Sequence, residues 1–298
     1  MSAVLRGLFC PLTTPFDDDG RADAYRLSAQ LSIYSGFDLA GVVLFGTSGE
    51  GALLDDDEQD DLLAAARRAL PAGRALVVQV GRESTAAAAV AAARAVEAGA
   101  DALLCLPPRY YPVGEVGLAG YFRAVAAAAG GRPLLAYHIP QRSHVDLPAD
   151  LLVELAAEGT LAGIKESAGD LDLQAELRRR AGPAFAVLNG RADATAAALR
   201  GGADGAVLAV ADAAPETCAR LLAAVAAGDD ASADAAQESL EPLAAALGPR
   251  WGVPGIKAAL DVRRWPGGGP PRPPLLPLGP EARAEIADAL RDAGIDLP

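Results

Sequence analysis

Residues 75–106 begin with Ala75-Leu76-Val77-Val78-Gln79-Val80 and the turn Gly81-Arg82-Glu83-Ser84-Thr85, which opens an alanine-rich stretch ending at Glu97. They close with Ala98-Gly99-Ala100-Asp101-Ala102-Leu103-Leu104-Cys105-Leu106. The first run is short and almost wholly apolar, as expected of a strand covered on both faces. Ser84 has the chemistry of a helix N-cap, and 84–97 reads as the helix it would start. Gly99 suits the helix end and feeds the next apolar run. The unit is strand, helix, strand, with a parallel return.

The same rhythm runs outward in both directions. Strands are expected at 6–10, 40–45, 75–80, 101–106, 133–138, 161–165, 185–189 and 204–208. Helices are expected between them at 23–35, 55–69, 84–97, 115–129, 148–157, 170–181 and 192–200. Eight regular units favour a closed (β/α)8 TIM barrel of the α/β class over an open doubly wound sheet. Beyond the eighth strand, 215–227, 231–247, 253–262 and 280–294 read as helices with no strand between them. The expected division is a barrel over 1–222 and a C-terminal helical extension over 223–298. The Pro/Gly-rich stretch Pro266–Pro280 reads as a structured or surface loop, because only one helix follows it.

Composition narrows the function. A net charge of -13 argues against nucleic acid and anionic membranes as partners. An anionic substrate would need local positive groups against that field. Cys10, Cys105 and Cys218 are odd in number and far apart, which fits a reducing, cytoplasmic setting without disulfides. Met1–Arg6 shows no basic segment followed by an apolar one, and no stretch is long and charge-free enough to span a bilayer.

Of 26 basic residues only Lys165 and Lys257 are lysines. Arginine stays protonated in proteins, whereas a desolvated lysine amine can lose its proton and attack a carbonyl. Codon bias against lysine would explain the scarcity equally well, so position has to decide. Lys165 ends the run Leu161-Ala162-Gly163-Ile164-Lys165, at the C-terminal rim where such barrels carry their active sites. Gly46-Thr47-Ser48-Gly49-Glu50-Gly51, Arg109-Tyr110-Tyr111, Tyr137-His138-Ile139-Pro140-Gln141-Arg142 and Asn189-Gly190 end other strands on that rim. The glycine turn lacks both GxGxxG and GK[ST] patterns, and reads better as a small anion nest with the Thr47 and Ser48 hydroxyls. Tyr137 alone would read as packing; beside a lysine and hydroxyls it is a proton-relay candidate. His138 and His144 are not at a helical ligand spacing, which disfavours a metal-dependent aldolase. Ser84 and Asp55–Glu58 read as helix-start residues, and Lys257 as a structural residue beginning a tail helix.

Taken together, these motifs resemble the dihydrodipicolinate synthase / N-acetylneuraminate lyase family of Schiff-base aldolases. The resemblance runs from Gly7–Phe16 to the helical tail. It rests on Gly46-Thr47-Ser48-Gly49-Glu50, Tyr137-x-x-Pro140 and Gly163-Ile164-Lys165-Glu166-Ser167. It implies that Lys165 forms an imine with pyruvate or a related 2-oxo acid, with no other cofactor and no metal. It also implies that Thr47 and Ser48 hold the acid's carboxylate, and that Tyr137 is the acid/base. Tyr110 would enter a neighbouring subunit's site to complete a relay with Thr47 and Tyr137, so a homo-oligomer is implied: a tight dimer, and a tetramer built from it. Gly190 and Val207 would line the imine pocket. Arg142 matches the family's arginine for the carboxylate of aspartate semialdehyde. His138 stands where an asparagine is usual, His144 where a glycine is, and Arg109 where a tyrosine is common. The tail from Arg250 to Leu275 looks more like the 4-hydroxy-2-oxoglutarate aldolase branch. A dehydratase of a sugar-derived 2-oxo acid and a non-catalytic 2-oxo acid binder are the remaining alternatives.

Overall fold

The computed structural model describes residues 5–298. Its eight parallel strands are β1 (Gly7–Cys10), β2 (Gly41–Leu44), β3 (Ala75–Gln79), β4 (Ala102–Cys105), β5 (Leu134–His138), β6 (Gly163–Glu166), β7 (Ala186–Asn189) and β8 (Gly205–Val207). Each pairs with the next, and β8 pairs with β1, so the sheet closes into a barrel. The expected strands are all present, shorter by a residue or two where the ladder ends and the chain turns into a loop. β6 differs in running one residue past Lys165, to Glu166.

Around the barrel run α1 (Ala24–Tyr34), α2 (Asp56–Ala69), α3 (Thr85–Glu97), α4 (Glu115–Ala128), α5 (Pro140–Ser143), α6 (Ala149–Ala157), α7 (Leu171–Arg180), α8 (Thr195–Arg200) and α9 (Pro215–Ala227). The tail adds α10 (Asp230–Ala245), α11 (Gly252–Val262) and α12 (Pro280–Asp292). A boundary after residue 222 therefore falls inside α9. The short α5 went unforeseen: one helical turn is too brief for periodicity to register, and only Pro140 at its first position hints at it.

The capping chemistry is local and explicit. The Ser84 side chain accepts from the Ala87 N–H to start α3, and Asp55 and Glu58 form a capping box on α2. Two apolar layers result. Leu8, Leu76, Leu103 and Ile164 pack outward against the helices, while Phe9, Val77, Leu104 and Leu188 fill the barrel. Every strand but β6 supplies both, because successive side chains point to opposite faces; β6 sends Ile164 outward and no apolar side chain to the inner layer.

Pro266–Pro280 is a strap folded over the barrel mouth. Arg272 forms an ion pair with Glu58, its backbone N–H donates to Glu50 Oε2 at 2.8 Å, and its Nη1 donates to the Leu53 carbonyl at 2.7 Å. Pairing with Arg272 holds the Glu58 carboxyl down to about 2. Among the described residues no helix is long and apolar enough to cross a membrane.

Candidate active site

Lys165 and Tyr137 are register partners on the neighbouring strands β6 and β5. Both are buried, and Lys165 Nζ lies 4.2 Å from the centre of the Tyr137 ring. The Tyr137 hydroxyl is 3.2 Å from Thr47 Oγ1. Burial pushes the phenol up, but Lys165, the Thr47 hydrogen bond and the charge on Arg142 outweigh it, leaving Tyr137 below its ordinary value.

The loop after β2 is shaped for close approach. Phe45 and Glu50 both take left-handed backbone conformations, and a Cβ at Gly51 would lie 2.0 Å from the Phe45 carbonyl oxygen. No hydrogen bond among the described residues uses the Thr47 or Ser48 backbone N–H. Behind the loop, Glu50 receives the Lys257 ammonium at 2.8 Å, in an ion pair excluded from water. Lys257 also donates to the Pro270 carbonyl at 3.0 Å and sits 4.2 Å over the Phe16 ring. It lies in the middle of α11, not at its start, and is wholly committed to holding the loop and the strap.

Lys165, Tyr137, Thr47, Ser48, Arg142, Gly190 and Val207 all line one chamber of about 460 Å³. Gly190 must be glycine, since a Cβ there would lie 1.9 Å from Ser167 Oγ. Thr47, Tyr137 and Arg142 also border a second, outer cavity of about 640 Å³. Four arginines flank these spaces. Arg109 pairs with Glu83, Arg191 with Asp193 and Arg250 with Glu285. Among the described residues, Arg142 has no carboxylate partner within 4.0 Å.

Tyr110 does not reach the chamber. Its ring is 77% exposed and stands edge-on to Tyr111 at 4.9 Å, while its N–H donates to Glu83 at 3.0 Å. His138 points away from the chamber toward Asp146, whereas His144 borders the outer cavity. Gln141, Ser167 and, from the tail, Gly248, Pro249, Gly252 and Val253 also line the chamber, and none of them stands out in the sequence as a site residue. Gln141 Nε2 donates to the Ser167 carbonyl at 2.5 Å. These tail residues straddle the junction of a π-helical segment at Ala246–Arg250 with α11; the glycines and prolines there mark a break but not where it lies.

The dihydrodipicolinate synthetase family model matches residues 4–293. The 4-hydroxy-tetrahydrodipicolinate synthase of Synechococcus sp. (strain CC9311) is 34% identical, covering 95% of this chain and 93% of its own. That of Agrobacterium fabrum is also 34% identical, covering 98% and 99%. The crystal structure of dihydrodipicolinate synthase from Aquifex aeolicus superposes with a TM-score of 0.91 at 27% identity, over 98% of this chain and 99% of that one. With its buried lysine on the sixth strand of a closed barrel, the chain belongs to the dihydrodipicolinate synthetase family and is an enzyme of that class I, pyruvate-dependent lyase group.

Proposed function

We propose that the enzyme joins pyruvate, held as an imine on Lys165, to an acidic aldehyde, as a dihydrodipicolinate synthase does. The observation that carries this reading is the contact of Lys165 Nζ with the Tyr137 ring, with the phenol bonded in turn to Thr47. The neutral Lys165 amine adds to the keto carbon of pyruvate, and loss of water leaves the imine. The Thr47 and Ser48 hydroxyls and free N–H groups suit the pyruvate carboxylate. The Tyr137 phenolate removes a methyl proton, giving an enamine whose carbon attacks the aldehyde. The new alkoxide takes that proton back from Tyr137, and water or an internal amine releases the product from Lys165. No metal or further cofactor takes part in this scheme.

Arg142 supports the choice of an acidic aldehyde. It is the flanking guanidinium without a carboxylate partner, so it can bind a substrate carboxylate in bidentate fashion despite the net charge of -13. Tyr110 serves the relay from a second copy of the chain, which makes a tight dimer the working unit and a tetramer its assembly. Its exposed ring beside Tyr111 supports that role. The three buried, free cysteines support a reducing, cytoplasmic setting.

A screen of aldehydes with pyruvate tests the reading, and aspartate semialdehyde is expected to turn over faster than glyoxylate. Arg142→Ala should lower kcat/KM for the acidic aldehyde by about 10–100-fold, the loss of a charged hydrogen-bonding partner, while borohydride still traps pyruvate on the protein. Faster turnover of glyoxylate would instead favour a 4-hydroxy-2-oxoglutarate-type aldolase, to which the tail turn on the chamber wall would belong. Tyr137→Phe is expected to lower kcat by about 10²–10⁴-fold. In the wild type, kcat/KM for pyruvate should rise with pH through a value below the ordinary tyrosine ~10, because the base is the phenolate and kcat/KM reports the free enzyme.

A further inference from the structure

One residue beyond Tyr137 and Lys165, the strands carry a second register pair, His138 and Glu166. Alternation along a strand turns this pair away from the chamber. The His138 ring is 2% exposed. Its Nε2 lies 2.9 Å from Asp146 Oδ1, and its Nδ1 lies 3.5 Å from Glu166 Oε1. Glu166 is itself anchored, accepting from the Ala168 N–H at 2.5 Å, the Gly169 N–H at 3.1 Å and Gln174 Nε2 at 2.9 Å. Asp146 belongs to the connection between β5 and α6 that carries Arg142, and its side chain is 80% exposed.

A carboxylate therefore faces each ring nitrogen, in a hydrogen bond at Nε2 and, at Nδ1, in a longer charge contact that makes no hydrogen bond. Only the imidazolium presents a proton to both; in either neutral tautomer one lone pair points at a carboxylate. Glu166 is held by three donors besides the ring, whereas the exposed Asp146 is held by the ring and by the Leu147 N–H, which donates to the same Oδ1 at 3.0 Å. The charged groups around the ring are Glu166 from β6, Asp146 from the connection and, beyond Glu166, Arg191 from the β7–α8 connection; α7 contributes the neutral Gln174.

We propose that His138 is a positioning residue: as an imidazolium held between Glu166 and Asp146, it ties the Ile139–Pro148 connection to β6 and so holds Arg142 at the chamber. What Arg142 then binds rests on the function proposed above; the tie itself does not. Burial works against the charged ring, but Glu166 and Asp146 outweigh it and raise His138 above its ordinary value. Linkage sets the sign. The stabilisation is fully present below the unfolded value of ~6.5 and fades as pH rises through the higher folded one.

The test uses the full chain and Asp146→Ala, a change at an exposed side chain. The protein has two histidines, so a histidine-selective NMR titration shows two ring signals, and His144→Gln assigns them. His138 should titrate above ~6.5 in the wild type and lower in Asp146→Ala. Amide exchange at Arg142, Ser143 and His144, whose N–H groups bond to the Ile139 and Pro140 carbonyls, should quicken in the variant and, in the wild type, above the His138 step. With aspartate semialdehyde, the wild-type KM should rise about tenfold through that step, and Asp146→Ala should show the raised KM below it. Pyruvate trapping should be unchanged throughout. An unshifted His138 titration in Asp146→Ala, or a titration at or below ~6.5 in the wild type, overturns the proposal. So does loss of pyruvate trapping in the variant alone, which would indicate a collapsed site. If wild-type protein fails to trap pyruvate, the function proposed above falls, and the titration and amide exchange still decide the tie.

Discussion

Lys165→Ala is expected to abolish pyruvate-dependent labelling by borohydride and to cut turnover on the order of 10⁴-fold or more, as removal of a covalent nucleophile does. The measurement is unusually clean in this chain. Apart from the chain terminus, the only other primary amine is Lys257, and it is sealed against Glu50 with less than a hundredth of its surface exposed. Intact-mass measurement after borohydride with pyruvate should show one adduct on the wild type and none on Lys165→Ala. Peptide mapping should place the adduct on the peptide containing Lys165. Persistent labelling in the variant would remove Lys165 from the mechanism. An arginine at 165 should fail equally, because charge is not what the position supplies; a guanidinium stays protonated and cannot form the imine.

Lys257→Met should instead be a stability variant. It removes one partner of a buried ion pair and strands the Glu50 carboxylate in the interior, a change that costs about 3–5 kcal/mol. Chemical denaturation measures this directly. If the cost comes from the stranded charge and not from lost packing, the double variant Lys257→Met/Glu50→Gln should recover part of it, giving a clear coupling energy in the cycle. Pyruvate should still label Lys165 in Lys257→Met. Its KM should rise, because Glu50 ends the turn that presents Thr47 and Ser48. Full stability in the single variant would mean that the pair contributes nothing to anchoring the strap and the turn.

The two lysines show how differently fold and site were legible. Rare lysine in an arginine-rich chain marked both, and only position separated them. Lys165 could be placed on the barrel rim because short apolar runs, helix starts such as Ser84 and helix ends such as Gly99 repeat at even spacing. These are local signals, carried by residues a few positions apart. The Lys257–Glu50 pair had no such signal, since its members are joined only when α11 is laid across the barrel mouth. Tyr110 stands in a motif that resembles the family's, yet its side chain faces solvent and not the chamber.

Local patterns along the chain carry the (β/α)8 rhythm, the helical tail and the candidacy of Lys165, Tyr137, Thr47 and Ser48, whereas Tyr110, Arg142, Gly190 and Val207 entered through the family resemblance. Tertiary structure decided which of these share a chamber, which arginine is free of a carboxylate, and that His138 faces Asp146 and Glu166. The difference lies in the range of the forces that report each. Backbone propensity and hydrophobic period act over a few residues and are written in order along the chain. The Thr47–Tyr137 hydrogen bond spans 90 residues and the Glu50–Arg272 bond 222, and both exist only because barrel closure and the strap bring those atoms together.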